Sequence, residues 1–188
     1  MHPALLLLSL LSQSPTAPVA SELVWGDFDG DQLLDALVIE AQGTRLLHHA
    51  SDGVFEDLTQ LAGLGELGQV SAAAWGDFDG DGDQDLFAAA RSGRLRLLRN
   101  SGAVFQDASG ASAFSPLLGV ERAHWLDIDS DGALDLHLHA SDADVLYRNL
   151  SGGVFERVEL AFAAAPAGGA LASDEGEVTA VERTRERT

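Results

Sequence analysis

The chain contains no cysteine in 188 residues. That excludes disulfides, zinc–thiolate sites, thiol catalysis and a cysteine-linked lipid anchor, and it leaves the compartment open. Lysine is missing too. All 11 basic residues are arginine, which we read as compositional bias, and they face 30 acidic residues for a net charge of −19. Such a chain has no basic footprint, so nucleic acid is not an expected partner. No apolar run reaches the roughly 18 residues of a membrane span. Nucleophile elbows, phosphate loops and paired-histidine zinc motifs are absent as well. No catalytic residue is assigned, and the chain reads as a non-enzyme.

What is present points to a turn-rich β protein. Hydrophobic residues make up 46% of the chain, enough for a packed core, and 20 residues are glycine. The length suits one domain or one short array. Residues 1–20 read as a signal peptide, with the apolar stretch Ala4 to Leu11 and a small-residue boundary at Val19-Ala20-Ser21. The flank before the stretch carries His2 but no Lys or Arg. The alternative is a cut fragment whose first strand is apolar.

Three aspartate-rich segments recur at an unbroken spacing of 50 residues, each opened by a tryptophan: WGDFDGDQLLDAL from Trp25, WGDFDGDGDQDLF from Trp75 and WLDIDSDGALDLH from Trp125. Each places carboxylates at the first, third, fifth and ninth positions of one short loop. Like charges this close are unfavourable unless a cation neutralises them. Calcium, which accepts six to eight oxygens in a flexible shell, suits such loops best. The expected ligands are Asp27, Asp29, Asp31 and Asp35 with the carbonyl of Leu33 in the first loop. The second offers Asp77, Asp79, Asp81 and Asp85 with the carbonyl of Asp83. The third offers Asp127, Asp129, Asp131 and Asp135 with the carbonyl of Ala133. Up to three Ca2+ ions are expected.

An EF-hand is excluded. It needs a glutamate at the twelfth position and flanking helices; here that position holds Val38, Ala88 and Leu138 within strand-like sequence. Metal-free aspartate turns are the alternative, because Asp caps turns through its own side chain. The first loop has Gln32 where the others have Gly82 and Gly132, and is the weakest of the three.

The register continues beyond the loops. Phe55, Phe105 and Phe155 also recur every 50 residues. Before them lie RLLHHASDG from Arg45, RLLRNSGA from Arg96 and VLYRNLSGG from Val145. Each unit therefore holds about four short strands bounded by Gly, Asn, Asp and Ser turns. A four-stranded unit repeating at 40–50 residues is the signature of a β-propeller blade. The expected fold is all-β, a partial propeller of about three blades over 21–165 (21–65, 66–115 and 116–165), with a flexible acidic and polar tail over 166–188. Trp25, Trp75, Trp125 and the three phenylalanines are the expected inter-blade core. Propellers close with four or more blades, so an array of three should expose apolar faces at its ends and has a reason to self-associate.

These units resemble FG-GAP/VCBS-type repeats of integrin-α-like β-propellers. WGDFDGDGDQDLF at Trp75, LYRNLSGGVFERV at Leu146 and FEDLTQLAGL at Phe55 match the group found in ASPIC/UnbV-type (CRTAC-like) secreted proteins. The likeness spans about residues 20–160. It implies a calcium-binding blade array, extracellular or periplasmic, with adhesive or scaffolding roles and a protein or glycan ligand. The blade number falls short of that family, and nothing here resembles its C-terminal domain. A second reading makes the array the non-catalytic portion of a secreted polysaccharide-active enzyme; a third makes it a truncated repeat-protein fragment.

The remaining candidates are minor. His137 and His139 alternate along one strand and share a side, as a transition-metal pair or as polar residues on a solvated face. His48 and His49 face opposite sides. Asn149-Leu150-Ser151 fits an N-glycosylation sequon. Clustered carboxylates could in principle serve a glycosidase, but one ion's shell explains them better.

Overall fold

The computed structural model describes residues 22–158, except 52 and 113. The leader expected over 1–20 and the tail expected over 166–188 lie outside the described residues. Among the described residues, twelve strands form three antiparallel sheets of four, each in simple sequential order. The first sheet comprises β1 (Glu22–Gly26), β2 (Asp35–Glu40), β3 (Gly43–Ser51) and β4 (Val54–Asp57). The second comprises β5 (Val70–Gly76), β6 (Asp85–Ala90), β7 (Leu95–Asn100) and β8 (Phe105–Asp107). The third comprises β9 (Val120–Leu126), β10 (Asp135–Ala140), β11 (Ala143–Asn149) and β12 (Phe155–Val158). One 3₁₀ turn at Ser109–Ala111 is the sole helical element among the described residues. Each sheet is one propeller-like blade, and the opening strands β1, β5 and β9 are successive neighbours.

Side chains alternate across each strand, and the alternation sorts the core. Leu37 and Ile39 of the first sheet pack with Leu86, Ala88, Leu98 and Phe105 of the second. Phe87 and Ala89, on the opposite face of β6, pack with Leu136 and Leu138 of the third. The middle sheet is covered on both sides, so Leu86-Phe87-Ala88-Ala89 is a continuous buried apolar run, not an alternating one. Ala36, Val38 and Leu47 form a smaller cluster on the other face of the first sheet. In the connection between the first two sheets, Ala62, Leu64 and Leu67 join the core, and the Phe105 N–H donates to the Ala62 carbonyl at 2.9 Å.

The joints between sheets are repeated chemistry. Trp75 Nε1 donates to the Val24 carbonyl at 3.1 Å, and Trp125 Nε1 to the Ala74 carbonyl at 3.3 Å. Each indole lies on the glycine that follows the preceding tryptophan. A Cβ on Gly26 would stand 2.5 Å from Trp75 Cδ1, and one on Gly76 would stand 2.5 Å from Trp125 Cδ1. Trp75 and Trp125 thus fill the expected joint role, whereas Trp25, with no described sheet before it, is 36% exposed.

The outward face of the first sheet is apolar, with Ala36, Val38 and Leu47 backed by Leu23 and Phe55, whereas the third sheet departs from the expectation of an apolar face. The glycine seat is missing from the third sheet, where Leu126 occupies it, and the outward positions of β10 carry His137 and His139. Ile128 stands where Phe28 and Phe78 are buried, and it is 51% exposed.

Gly76→Ala should force Trp125 off its seat and lower stability by about 1–3 kcal/mol, the usual cost of overpacking. Gly110→Ala, with no atom within 4 Å of the added Cβ, should change it by less than about 0.5 kcal/mol. Urea unfolding of the two variants checks both values.

Candidate metal sites

Each aspartate loop runs from the end of a sheet's first strand to the start of its second. The first aspartate organises the turn. In the second loop Asp77 Oδ1 accepts the N–H groups of Gly80 (2.7 Å) and Asp81 (3.1 Å), and its Oδ2 accepts that of Gly82 (2.9 Å). Asp27 does the same with Gly30, Asp31 and Gln32, and Asp127 with Asp131 and Gly132. Gln32 takes a φ of +71° where Gly82 and Gly132 take +98° and +90°. A residue with a Cβ pays roughly 1–2 kcal/mol for that conformation, and the third loop carries the same cost at Ser130 (φ +60°), where the other loops have Gly30 and Gly80 at +77°.

The fifth aspartates close a smaller turn. Asp31, Asp81 and Asp131 accept the N–H groups of Leu33, Asp83 and Ala133 at 2.8–3.0 Å. Leu33, Asp83 and Ala133 therefore engage the loop through their amides. The ligand role expected of their carbonyls belongs to the proposal below.

The ninth aspartate is the buried member. Asp35, Asp85 and Asp135 open the second strands at 0%, 0% and 1% exposure. Asp85 Oδ2 accepts the Phe78 N–H at 3.1 Å, and its Oδ1 accepts the Asn100 N–H at 2.7 Å. Asp35 bonds likewise to Phe28 and His49, and Asp135 to Ile128 and Asn149. Burial pushes the Asp85 carboxyl from its ordinary 3.8 up to about 7, against the lowering effect of its two backbone donors. Burial also raises Asp35.

Three oxygens converge in each of the later loops. Asp77, Asp79 and Asp85 offer atoms all within 4.8 Å of one another, and so do Asp127, Asp129 and Asp135. The first loop is split into two overlapping groups, Asp27 with Asp29 and Asp31, and Asp29 with Asp35 and His48. Asp81 and Asp131 stand outside these convergent sets, whereas Asp31 belongs to one. All-oxygen clusters fit a hard divalent cation.

Sequence reasoning missed the side chains that stand over these loops from the third strands. Arg99 Nε lies 2.6 Å from Asp79 Oδ2, and Arg148 Nη1 lies 3.8 Å from Asp129 Oδ2. His48 takes the same place in the first sheet, with Nδ1 at 3.1 Å from Asp35 Oδ1 and 3.3 Å from Asp29 Oδ2. The signal was the residue after each Leu-Leu or Leu-Tyr pair. Beside it, Asn100 and Asn149 link the sheets. Asn100 Nδ2 donates to the carbonyls of Phe28 (2.6 Å) and Gln84 (3.0 Å), and Asn149 Nδ2 to those of Phe78 (2.8 Å) and Leu134 (3.2 Å). The Asn149 amide is buried and engaged twice, so the sequon is closed to glycosylation in the folded chain. His49, which replaces this asparagine in the first sheet, stacks on Phe55 with centroids 4.7 Å apart.

Four-stranded meanders joined by tryptophan seats, each headed by an aspartate loop, define a propeller-type repeat module. The FG-GAP-like repeat model matches residues 27–88 and 77–138. Each matched segment starts at the first aspartate of one loop and ends in the second strand of the next sheet. Together they span more than half of the chain, which belongs to the FG-GAP-like repeat family. No curated protein matches it.

The raised Asp85 carboxyl has a signed consequence. Between 3.8 and about 7 the folded, metal-free protein holds more protons than the unfolded chain, so this group's contribution to stability falls as pH rises. In calcium-stripped buffer, the unfolding free energy of Asp85→Asn should therefore rise relative to wild type from pH 4 to pH 7. Parallel pH profiles in urea titrations would contradict the assignment.

Proposed function

We propose that this chain is a calcium-stabilised, non-enzymatic module of the extracellular or periplasmic space that presents an open array of three blades to a protein or glycan ligand. The observation that carries the proposal is the convergence of Asp77, Asp79 and Asp85, and of Asp127, Asp129 and Asp135, onto one point per loop, each with one fully buried carboxylate. A divalent ion supplies the positive charge that keeps a buried aspartate ionised at neutral pH. The fifth aspartates and the carbonyls of Leu33, Asp83 and Ala133 complete the proposed shells, with Asp27, Asp29, Asp31 and Asp35 serving the first loop.

The ions act structurally. They pin each loop between two strands, beside the Phe28 and Phe78 carbonyls that the next sheet grips through asparagine. Arg148 stands further from Asp129 than Arg99 does from Asp79, so the third loop needs the least rearrangement to admit an ion. We place the leader at 1–20 and the tail at 166–188, and we relate the array to the repeat region of ASPIC/UnbV-type proteins through its LYRN and FEDLTQLAGL segments. No helix among the described residues is long and apolar enough to cross a membrane. Ring closure by a second copy is not part of this reading, because the third sheet has Leu126 where the joint requires glycine.

With free calcium at 100 times the dissociation constant, each occupied site adds about 2.7 kcal/mol. Asp79→Ala and Asp129→Ala should each lower the melting temperature in calcium by several degrees and change it little in chelator. Equal losses in both buffers would remove calcium from the account.

A further inference from the structure

The first loop offers two overlapping donor sets, and only one of them suits calcium. Asp27, Asp29 and Asp31 form an all-oxygen set. The second set is Asp29, Asp35 and His48, whose donor atoms also lie within 4.8 Å of one another. In the second and third loops the place of His48 is taken by Arg99 and Arg148. A guanidinium has no lone pair to give a metal, whereas an imidazole nitrogen has one. Calcium takes oxygen donors, so a ring nitrogen among three donors counts against it. The first sheet thus carries a mixed nitrogen and oxygen set that the other two sheets lack.

The geometry of this set is close to that of a zinc shell. His48 Nδ1 lies 3.1 Å from Asp35 Oδ1 and 3.3 Å from Asp29 Oδ2. Ligand atoms that share a tetrahedral zinc ion at about 2.0–2.1 Å stand about 3.3–3.4 Å apart. The donors are sheltered, with side-chain exposures of 0% for Asp35, 17% for His48 and 24% for Asp29. They are also held from outside. The Phe28 and His49 amides donate to the two Asp35 oxygens at 3.2 and 2.8 Å, as outer-shell bonds do for metal ligands. The Phe28 ring meets the imidazole edge-on, with centroids 6.0 Å apart and planes at 84°. Without metal the His48–Asp35 contact is a hydrogen bond, and the ion takes the place of its proton. Three protein donors leave a fourth position for water, as open zinc sites do.

We propose that Asp29, Asp35 and His48 form a site for a divalent transition metal, zinc being the best fit, which the second and third loops do not have. One imidazole with two carboxylates suits zinc better than calcium. Asp29 is common to both sets, so zinc displaces calcium from the first loop alone. The inference goes beyond the calcium reading and does not rest on it: the site stands whether or not the other loops take calcium.

The full chain, held in 1 mM calcium (about 100-fold above a 10 μM site), is titrated with zinc by calorimetry. The expected result is one zinc per chain at micromolar affinity. His48→Ala should weaken it by at least the roughly tenfold that losing an outer-shell partner brings. His48→Arg, which installs the residue of the other two sheets, should abolish it. His137→Ala, on the third sheet, should leave it unchanged. Thermal unfolding confirms that each His48 variant is folded; if one is not, the other decides. The same melts in calcium and in chelator test the calcium reading separately, so the two can fail independently. Undiminished zinc binding in the folded His48 variants, loss of binding in His137→Ala, or no zinc binding below about 100 μM would overturn the proposal.

Discussion

The rest of the structure hangs on a carboxylate that has no access to water. Asp35, Asp85 and Asp135 each begin a second strand and are buried almost completely. Each accepts one amide from its own loop and one from the end of the third strand. A buried ionised group is costly unless its hydrogen bonds are made. The cost is met by fixing three separate stretches of backbone against one side chain. That fixes where the loop turns and where the third strand ends, and it brings the asparagine that follows into reach of the preceding sheet.

From this point the array propagates by side-chain-to-backbone contacts. Asn100 and Asn149 satisfy carbonyls in the preceding loop, and Trp75 and Trp125 satisfy carbonyls in the preceding first strand. Buried carbonyls need partners, and here the neighbour sheet supplies them. Apolar burial provides most of the driving force, since it is the dominant favourable term. The polar links fix the offset between sheets. The ends obey the same logic. Where no described sheet precedes, asparagine gives way to His49; where none follows, glycine gives way to Leu126 and the packing residues give way to histidines.

The loops themselves show how two readings of clustered aspartate coexist. The first and fifth aspartates spend their oxygens on backbone amides, as aspartate turns do. In the second and third loops the third and ninth converge with the first on a shared point, overlain by Arg99 or Arg148, whereas in the first loop the ninth meets the third and His48. Charge neutralisation from within the chain is thus partial and uneven among the three loops.

Much of this was legible in the residues. The spacing of 50 dictated a repeat, the alternation in each unit dictated four short strands, and the aspartate ladders marked the loops, because all three depend only on local periodicity and local charge. Other features were decided by tertiary structure. Arg99 is distant in sequence from Asp79, Asn100 from Phe28, and Trp125 from Gly76, so no local pattern connects them. Alternation told that His137 and His139 share a side, but only the stacking direction of the sheets decided that this side faces outward, where Leu37 and Phe87 face a neighbour. A strand's sequence specifies two faces; which of them meets another sheet is set by packing that lies beyond the strand.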